Sequence, residues 1–185
     1  MNNFFDDIID KTLGFEGSYQ CHPEDDANYY HGVLLGTMCG ISASAYGTYL
    51  GRMPTIAEMK AITPAIAKKV YKKLFWDRLL LDNIKSKGVA WIIFQYYIGD
   101  GNVIHLRRAI EEYLESVGNT ASFSQGNVPF TPYSINLINS LDPEDLFIYL
   151  KTYRMNRYDK IVKASPKSAK FLNGWRNRLN KIVYS

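Results

Sequence analysis

A mainly helical fold, with a small loop or hairpin region after the first helix, is what this sequence of 185 residues predicts. Three observations predict it. Apolar residues recur at helical spacing along most of the chain, helix start signals stand ahead of those stretches, and glycines crowd into one segment between residues 14 and 47. Phe4, Phe5, Ile8, Ile9 and Leu13 share one face and Asp6, Asp7, Asp10 and Lys11 the other, so residues 3–15 read as an amphipathic helix. From Gly17 to Tyr49 no helical stripe persists, and Pro23, Gly32, Gly36, Gly40 and Gly47 read as turns. Thr55 and Glu58 form a capping-box pattern; Thr63 followed by Pro64 opens a helix that runs through Val70 to Leu74. Residues 88–98 are continuously apolar except at Gln95 and read as a buried helix, with a buried strand as the alternative. Residues 103–117 are amphipathic, and residues 118–132 are rich in Gly, Ser, Asn and Pro, as a surface loop is. Ser134 is the expected cap of a short helix, Asp142 of a long one reaching about Ala164, and Ser165 with Pro166 opens the last. There is no internal repeat.

Composition narrows the function classes. With 46% hydrophobic and 22% charged residues the chain can build its own core, which excludes a disulfide scaffold, a disordered tail and a fibrous repeat. Cys21 and Cys39 are expected as free thiols of a chain folded in a reducing compartment. The net charge of +4 is a mild bias that suits an anionic polymer, a cell wall included. Asp6, Asp7 and Asp10 stand where a signal peptide needs lysines and an apolar run. The apolar stretch 89–98 is far short of the roughly twenty residues that cross a bilayer. The expectation is therefore a soluble protein, cytoplasmic as synthesised, with no stable membrane insertion. Aromatic residues, 14% of the chain, fill cores more often than they stack on sugars.

Several residues carry candidate chemistry. Glu16, where the first helix runs into glycine, suits a positioned general acid, and Phe15 and Tyr19 beside it could supply the apolar surroundings that raise a carboxyl pKa. Asp25 could be the second carboxylate of a glycosidase pair, as base or nucleophile according to its separation. The competing reading is a solvated helix-end glutamate and an Asx-turn aspartate. Cys21, His22, His31 and Cys39 fit no zinc spacing, and nothing sets a thiol against a base, so no metal or cofactor is expected. Lys68, Lys69, Lys72, Lys73 and Arg78, interleaved with Tyr71, Phe75 and Trp76, read as a solvated helix face rather than a nucleic-acid site. Phe171, Trp175 and Arg178 form either a packed helix or a sugar-stacking platform.

Taken in order, these residues resemble the bacterial and phage N-acetylmuramidases of glycoside hydrolase family 108, once named secretion activator proteins. Glu16-Gly17-Ser18-Tyr19 is similar to the family's Glu-Gly-Gly-Tyr, Pro23 and Asp25 to its Asp-Pro-x-Asp, and Thr37, Gly40 and Ile41 to its Thr-x-x-Gly-Ile. Tyr71, Trp76 and Asp77 match a Tyr-x-x-x-Tyr-Trp-Asp motif, with Phe75 in place of its second tyrosine, and Phe171, Leu172, Gly174, Trp175 and Arg178 match a C-terminal one. Two departures stand out. The segment between Asp25 and Thr37 is longer and lacks the paired glycines, and Gln95 and Gly99 replace the Asp and Asn of Phe-Asp-x-x-x-Asn-x-Gly, with Asp100 as a possible compensating carboxylate.

The resemblance implies a lysozyme-like helical fold and hydrolysis of the β-1,4 bond between N-acetylmuramic acid and N-acetylglucosamine. It implies Glu16 as proton donor, with Asp25 and Thr37 stabilising the transition state and placing water. Tyr19, Gln95, Tyr96 and Asp100 are the expected substrate-binding residues; Tyr29, Tyr30 and Trp76 are weaker candidates for sugar stacking. Residues 1–85 would be the hydrolase region and residues 86–185 a helical peptidoglycan-binding region packed against it as one compact unit. The partner would be the peptidoglycan glycan strand, with no nucleic acid, and the protein would act on the wall after release through a holin or a secretion system. The substitutions at 95 and 99 keep a rival open: a weak or inert peptidoglycan-binding or secretion accessory protein on the same fold.

Overall fold

The computed structural model describes residues 3–14, 18–123 and 130–184, and is 68% helix and 5% strand. The described chain gathers into two compact units, one of Asn3–Arg78 and one of residues 79–184.

In the first unit, α1 (Phe4–Leu13) buries Phe5, Ile8 and Ile9, the face its apolar spacing predicts. The capping box on α3 (Ile56–Lys60) is present in both directions: Thr55 accepts from Glu58 N, and the Glu58 carboxylate accepts from Thr55 N at 2.8 Å. Thr63 caps α4 (Pro64–Tyr71) by accepting from Ile66 N, and a wider π-helical turn, Lys72–Trp76, continues it. Ile8, Ile9, Met59, Val70, Tyr71 and Trp76 are within 1% of complete burial, and Phe5 meets Trp76 edge-on at 5.3 Å. Trp76 is thus core and offers no face to a sugar. Two lysines of α4 and its extension form ion pairs, Lys68 with Asp10 and Lys72 with Asp77, while Lys73 lies over the Tyr49 ring.

The glycine-rich region folds as two short antiparallel hairpins, β1 (Tyr29–Tyr30) with β2 (Val33–Leu34) and β3 (Thr37–Met38) with β4 (Ile41–Ser42). Each has a two-residue turn, His31-Gly32 and Cys39-Gly40, in which both residues take positive φ, as a type I′ turn requires. The loop reading fails over its last seven residues, which with Leu50 form α2 (Ala43–Leu50), with the Ser42 hydroxyl accepting from Ala45 N. Gly47 is in that helix for a packing reason. A Cβ there would stand 2.6 Å from the Tyr30 ring, so the helix accepts the entropy cost of glycine to let the hairpin lie against it.

In the second unit, the apolar stretch is a helix, α5 (Lys87–Asp100), capped by Ser86 and buried at every position from 88 to 94. Burial on all sides explains why periodicity alone leaves strand and helix open there. The remaining helices are α6 (Ile104–Ser116), α7 (Pro132–Asn139), α8 (Pro143–Ala164) and α9 (Ala169–Asn180). The long α8, started by Asp142 accepting from Glu144 N and Asp145 N, is the axis on which α5, α6 and α9 pack. The cap of α7 is Thr131 rather than Ser134; the latter is the third helical residue and returns a bond to Thr131 N at 3.3 Å. No described helix is long and apolar enough to cross a membrane.

Candidate functional site

The expected site residues fall in both units. Glu16 lies outside the described residues, as does Phe15 beside it. Asp25 and Thr37 belong to the first unit, and one residue ties them together. Gln20 exchanges both backbone bonds with Thr37, at 2.9 and 2.8 Å, and donates its side-chain amide to Asp25 Oδ2 at 3.0 Å. Thr37 therefore pairs with Gln20 on one side and Ser42 on the other, which fixes its backbone as the middle of a three-strand patch.

Asn28, fully buried, closes this network. Its amide exchanges bonds with the Gln20 amide at 2.8 and 2.9 Å and reaches the His22 carbonyl, and its own carbonyl accepts from Leu35 N and Gly36 N. A buried, fully bonded amide of this kind rigidifies what it joins. Nothing in the sequence marked Gln20 or Asn28; their importance is a matter of register between a loop and a strand, which no local spacing shows.

The half-buried Asp25 carboxylate is engaged at both oxygens. Oδ1 accepts from Ala27 N at 3.0 Å, capping the 3-10 turn Asp26–Asn28, and Oδ2 accepts from Gln20. The Asx-turn reading thus describes its local geometry. Thr37 differs: its Oγ1 is buried and has no hydrogen-bond partner among the described residues. A buried unmatched hydroxyl costs roughly 1–3 kcal/mol, and it can both donate to and accept from a water or a sugar hydroxyl.

Two tyrosines pin the hairpins. Tyr19 donates its hydroxyl to the Leu35 carbonyl at 3.1 Å, and Tyr71 donates to the Cys39 carbonyl at 3.3 Å. The neighbouring Cys21 thiol, and then burial, raise the Tyr19 hydroxyl above its ordinary pKa, so it stays a donor. The Tyr19 ring is crossed by Lys60 at 5.2 Å and by Gly36, where a Cβ would come within 2.7 Å of it.

Gln95, Tyr96 and Asp100 sit on α5 in the second unit. Gln95 is half-buried, but Tyr96 is 1% exposed, and the Arg154 guanidinium covers its ring at 4.3 Å. The face of its ring is thus taken by the guanidinium. Burial, with the Asp100 charge adding, raises its hydroxyl far above the ordinary range. Arg154 Nη1 donates to Asp100 Oδ1 at 2.6 Å, Arg154 Nε donates to the Tyr158 hydroxyl at 3.1 Å, and Arg157 Nε stands 3.4 Å from Asp100 Oδ2. Both ions of the inner pair are at most 8% exposed. Burial lowers the Arg154 pKa, but Tyr158 and Asp100 outweigh it, so the guanidinium stays charged. Gly99 has its explanation here: a Cβ at that position would run into Arg154 Nη2. Asp100 is the anchor of an arginine rather than a free carboxylate.

Trp175 of α9 lies between Phe171 at 6.0 Å and Tyr158 at 5.3 Å, so it packs in a row of rings that begins at Arg154. Among the described residues no cluster of His, Cys, Asp and Glu could hold a metal ion.

Comparison with curated proteins finds no match. The solved structure of Brucella abortus SagA is similar in fold, with a TM-score of 0.71 and 21% sequence identity over 96% of this chain and 90% of that one. The mainly helical architecture with two strand pairs is lysozyme-like. The family model described as glycosyl hydrolase 108 matches residues 9–101, half the chain, a stretch that holds Asp25, Thr37, Gln95 and Asp100 and stops short of α6. On that match the chain belongs to the glycosyl hydrolase 108 family.

Proposed function

We propose that the chain is a peptidoglycan hydrolase of N-acetylmuramidase type that cleaves the β-1,4 bond between N-acetylmuramic acid and N-acetylglucosamine. In this reading Glu16 gives its proton to the glycosidic oxygen as the bond to the anomeric carbon breaks. The Asp25 carboxylate faces the positive charge that develops at that carbon, Thr37 Oγ1 holds the water that adds to it, and the water's proton leaves to a carboxylate of the pair. The observation that carries the reading is Gln20, which fixes Asp25 and Thr37 in one network and leaves the Thr37 hydroxyl unmatched among the described residues. Tyr19 acts as a positioning residue through Leu35. On α5, Gln95 contacts the glycan, while Tyr96 and Asp100 act through Arg154. The second unit is the wall-binding half, and the enzyme reaches the wall after export or release.

The test is clearing of purified peptidoglycan followed by turbidity. Glu16→Gln is expected to lower the rate by about 10²- to 10⁴-fold, the usual contribution of a general acid; an unchanged rate overturns the assignment. The engagement of both Asp25 oxygens favours a second reading, a wall-binding accessory protein with little hydrolysis. Binding to sacculi without clearing by the unaltered chain would select it.

A further inference from the structure

Between α6 and α8, within the second unit, runs an open groove of about 340 Å³. His105, Arg108, Arg157 and Lys160 line it, with Tyr149 and Tyr153 along one wall. Its single acid, Glu112, accepts the Tyr153 hydroxyl at 3.1 Å. Arg108 and Lys160 are exposed and have no carboxylate partner among the described residues. The groove also opens beside the most basic part of the chain. From residue 151 onward there are ten Lys and Arg against Asp159 alone, and Asp159 is paired with Arg176. Isolated lysines on a helix face are ordinary. Two exposed cations, Arg108 and Lys160, lining one concavity with Arg157, His105 and two aromatic walls make a site for an anion carried on a ring-shaped or extended ligand.

We infer that this groove binds a carboxylate-bearing saccharide, with the carboxylate between Arg108 and Lys160 and the sugar along Tyr149 and Tyr153. The choice of a glycan over another polyanion rests on the peptidoglycan reading above. His105 reports the same field. Burial lowers its pKa first, and Arg157, Arg108 and Arg154 lower it further against the opposing Asp100 of α5. Its imidazole is thus pushed toward the neutral form by burial first and by the surrounding arginines second, and a bound carboxylate would act against that push.

The experiment uses the full chain and a soluble muramyl disaccharide-peptide with free carboxylates, too short to be a hydrolysis substrate, and the same compound with its carboxylates amidated. Calorimetry is expected to show binding that weakens by about tenfold on Arg108→Ala, on Lys160→Ala and on amidation, the size of one charge-assisted bond. The His105 imidazole pKa, followed by NMR, is expected to rise when the ligand binds. Circular dichroism of the two variants, both altered at exposed positions, establishes that they fold. Affinity indifferent to Arg108, Lys160 and amidation overturns the inference, even if the chain clears sacculi. Binding through these residues in a chain that clears nothing sustains the groove and overturns only the hydrolase. An oligonucleotide bound through Arg108 and Lys160, with the muramyl compound unbound, overturns the ligand class.

Discussion

Thr37 has a hydroxyl that no described residue bonds, whereas Asp25 has a carboxylate that the fold uses twice. The two are thus separable by experiment. Thr37→Val keeps the side-chain shape and removes only the hydroxyl. Its thermal stability is expected to be unchanged or higher, because no bond among the described residues is lost, while clearing of peptidoglycan falls by about tenfold, the value of one hydrogen bond. A paired loss of stability would mean that the hydroxyl serves the fold instead. The sequence pointed to Asp25 and Thr37 through short motifs that lie close along the chain. It could not show that Gln20 joins them, because that bond depends on which loop residue faces which strand residue. The covering of the Tyr96 ring was illegible for a related reason: Arg154, which lies over it, is 58 positions away on another helix.

At the scale of elements, start signals were the most legible feature. Thr55 with Glu58, Thr63 with Pro64, and Asp142 all act as their local chemistry predicts. The error came where glycine served packing, as at Gly47, read as a turn but placed inside α2; Gly32 and Gly40, also read as turns, do close the two hairpins. The α3 capping box yields a pH prediction. The Arg52 guanidinium, 2.5 Å from Glu58, and the Thr55 backbone N–H hold the Glu58 carboxyl down at about 2. Since the folded-state pKa is below the unfolded one, the stabilisation is complete above about pH 4.5 and is lost as pH falls through about 2. Denaturant unfolding between pH 5 and 2 is expected to show a smaller acid-dependent loss for Glu58→Gln than for the unaltered chain, because the amide does not titrate and any bond it forgoes is forgone at every pH. Equal losses would place the acid sensitivity elsewhere.

For the whole molecule, the net charge of +4 conceals an uneven division. Residues 79–185 carry 14 Lys and Arg against 9 Asp and Glu, and residues 1–78 carry 8 against 9. The positive bias belongs to the second unit, where the composition alone showed only an average. Adsorption to an anionic wall is accordingly expected to weaken as salt rises, with most of the change between about 0.05 and 0.5 M, where the screening length shrinks below the spacing of surface charges. Sedimentation with sacculi over that range checks it. Removing basic residues from the second unit should flatten the salt response, and removing Lys69 or Arg78 from the first should leave it as it was.

Gly99, Asp100 and Arg154 form a unit of inheritance. No side chain at 99 is compatible with the arginine in its present place, and the arginine without Asp100 would be a buried charge with no acid at 2.6 Å. A mutation reaching 99 alone displaces the Arg154 guanidinium, and one reaching 154 alone leaves Asp100 with only the more distant Arg157. Among relatives, those with a side chain at 99 should therefore lack an arginine at the position equivalent to 154, and the two states should be divided by few intermediates.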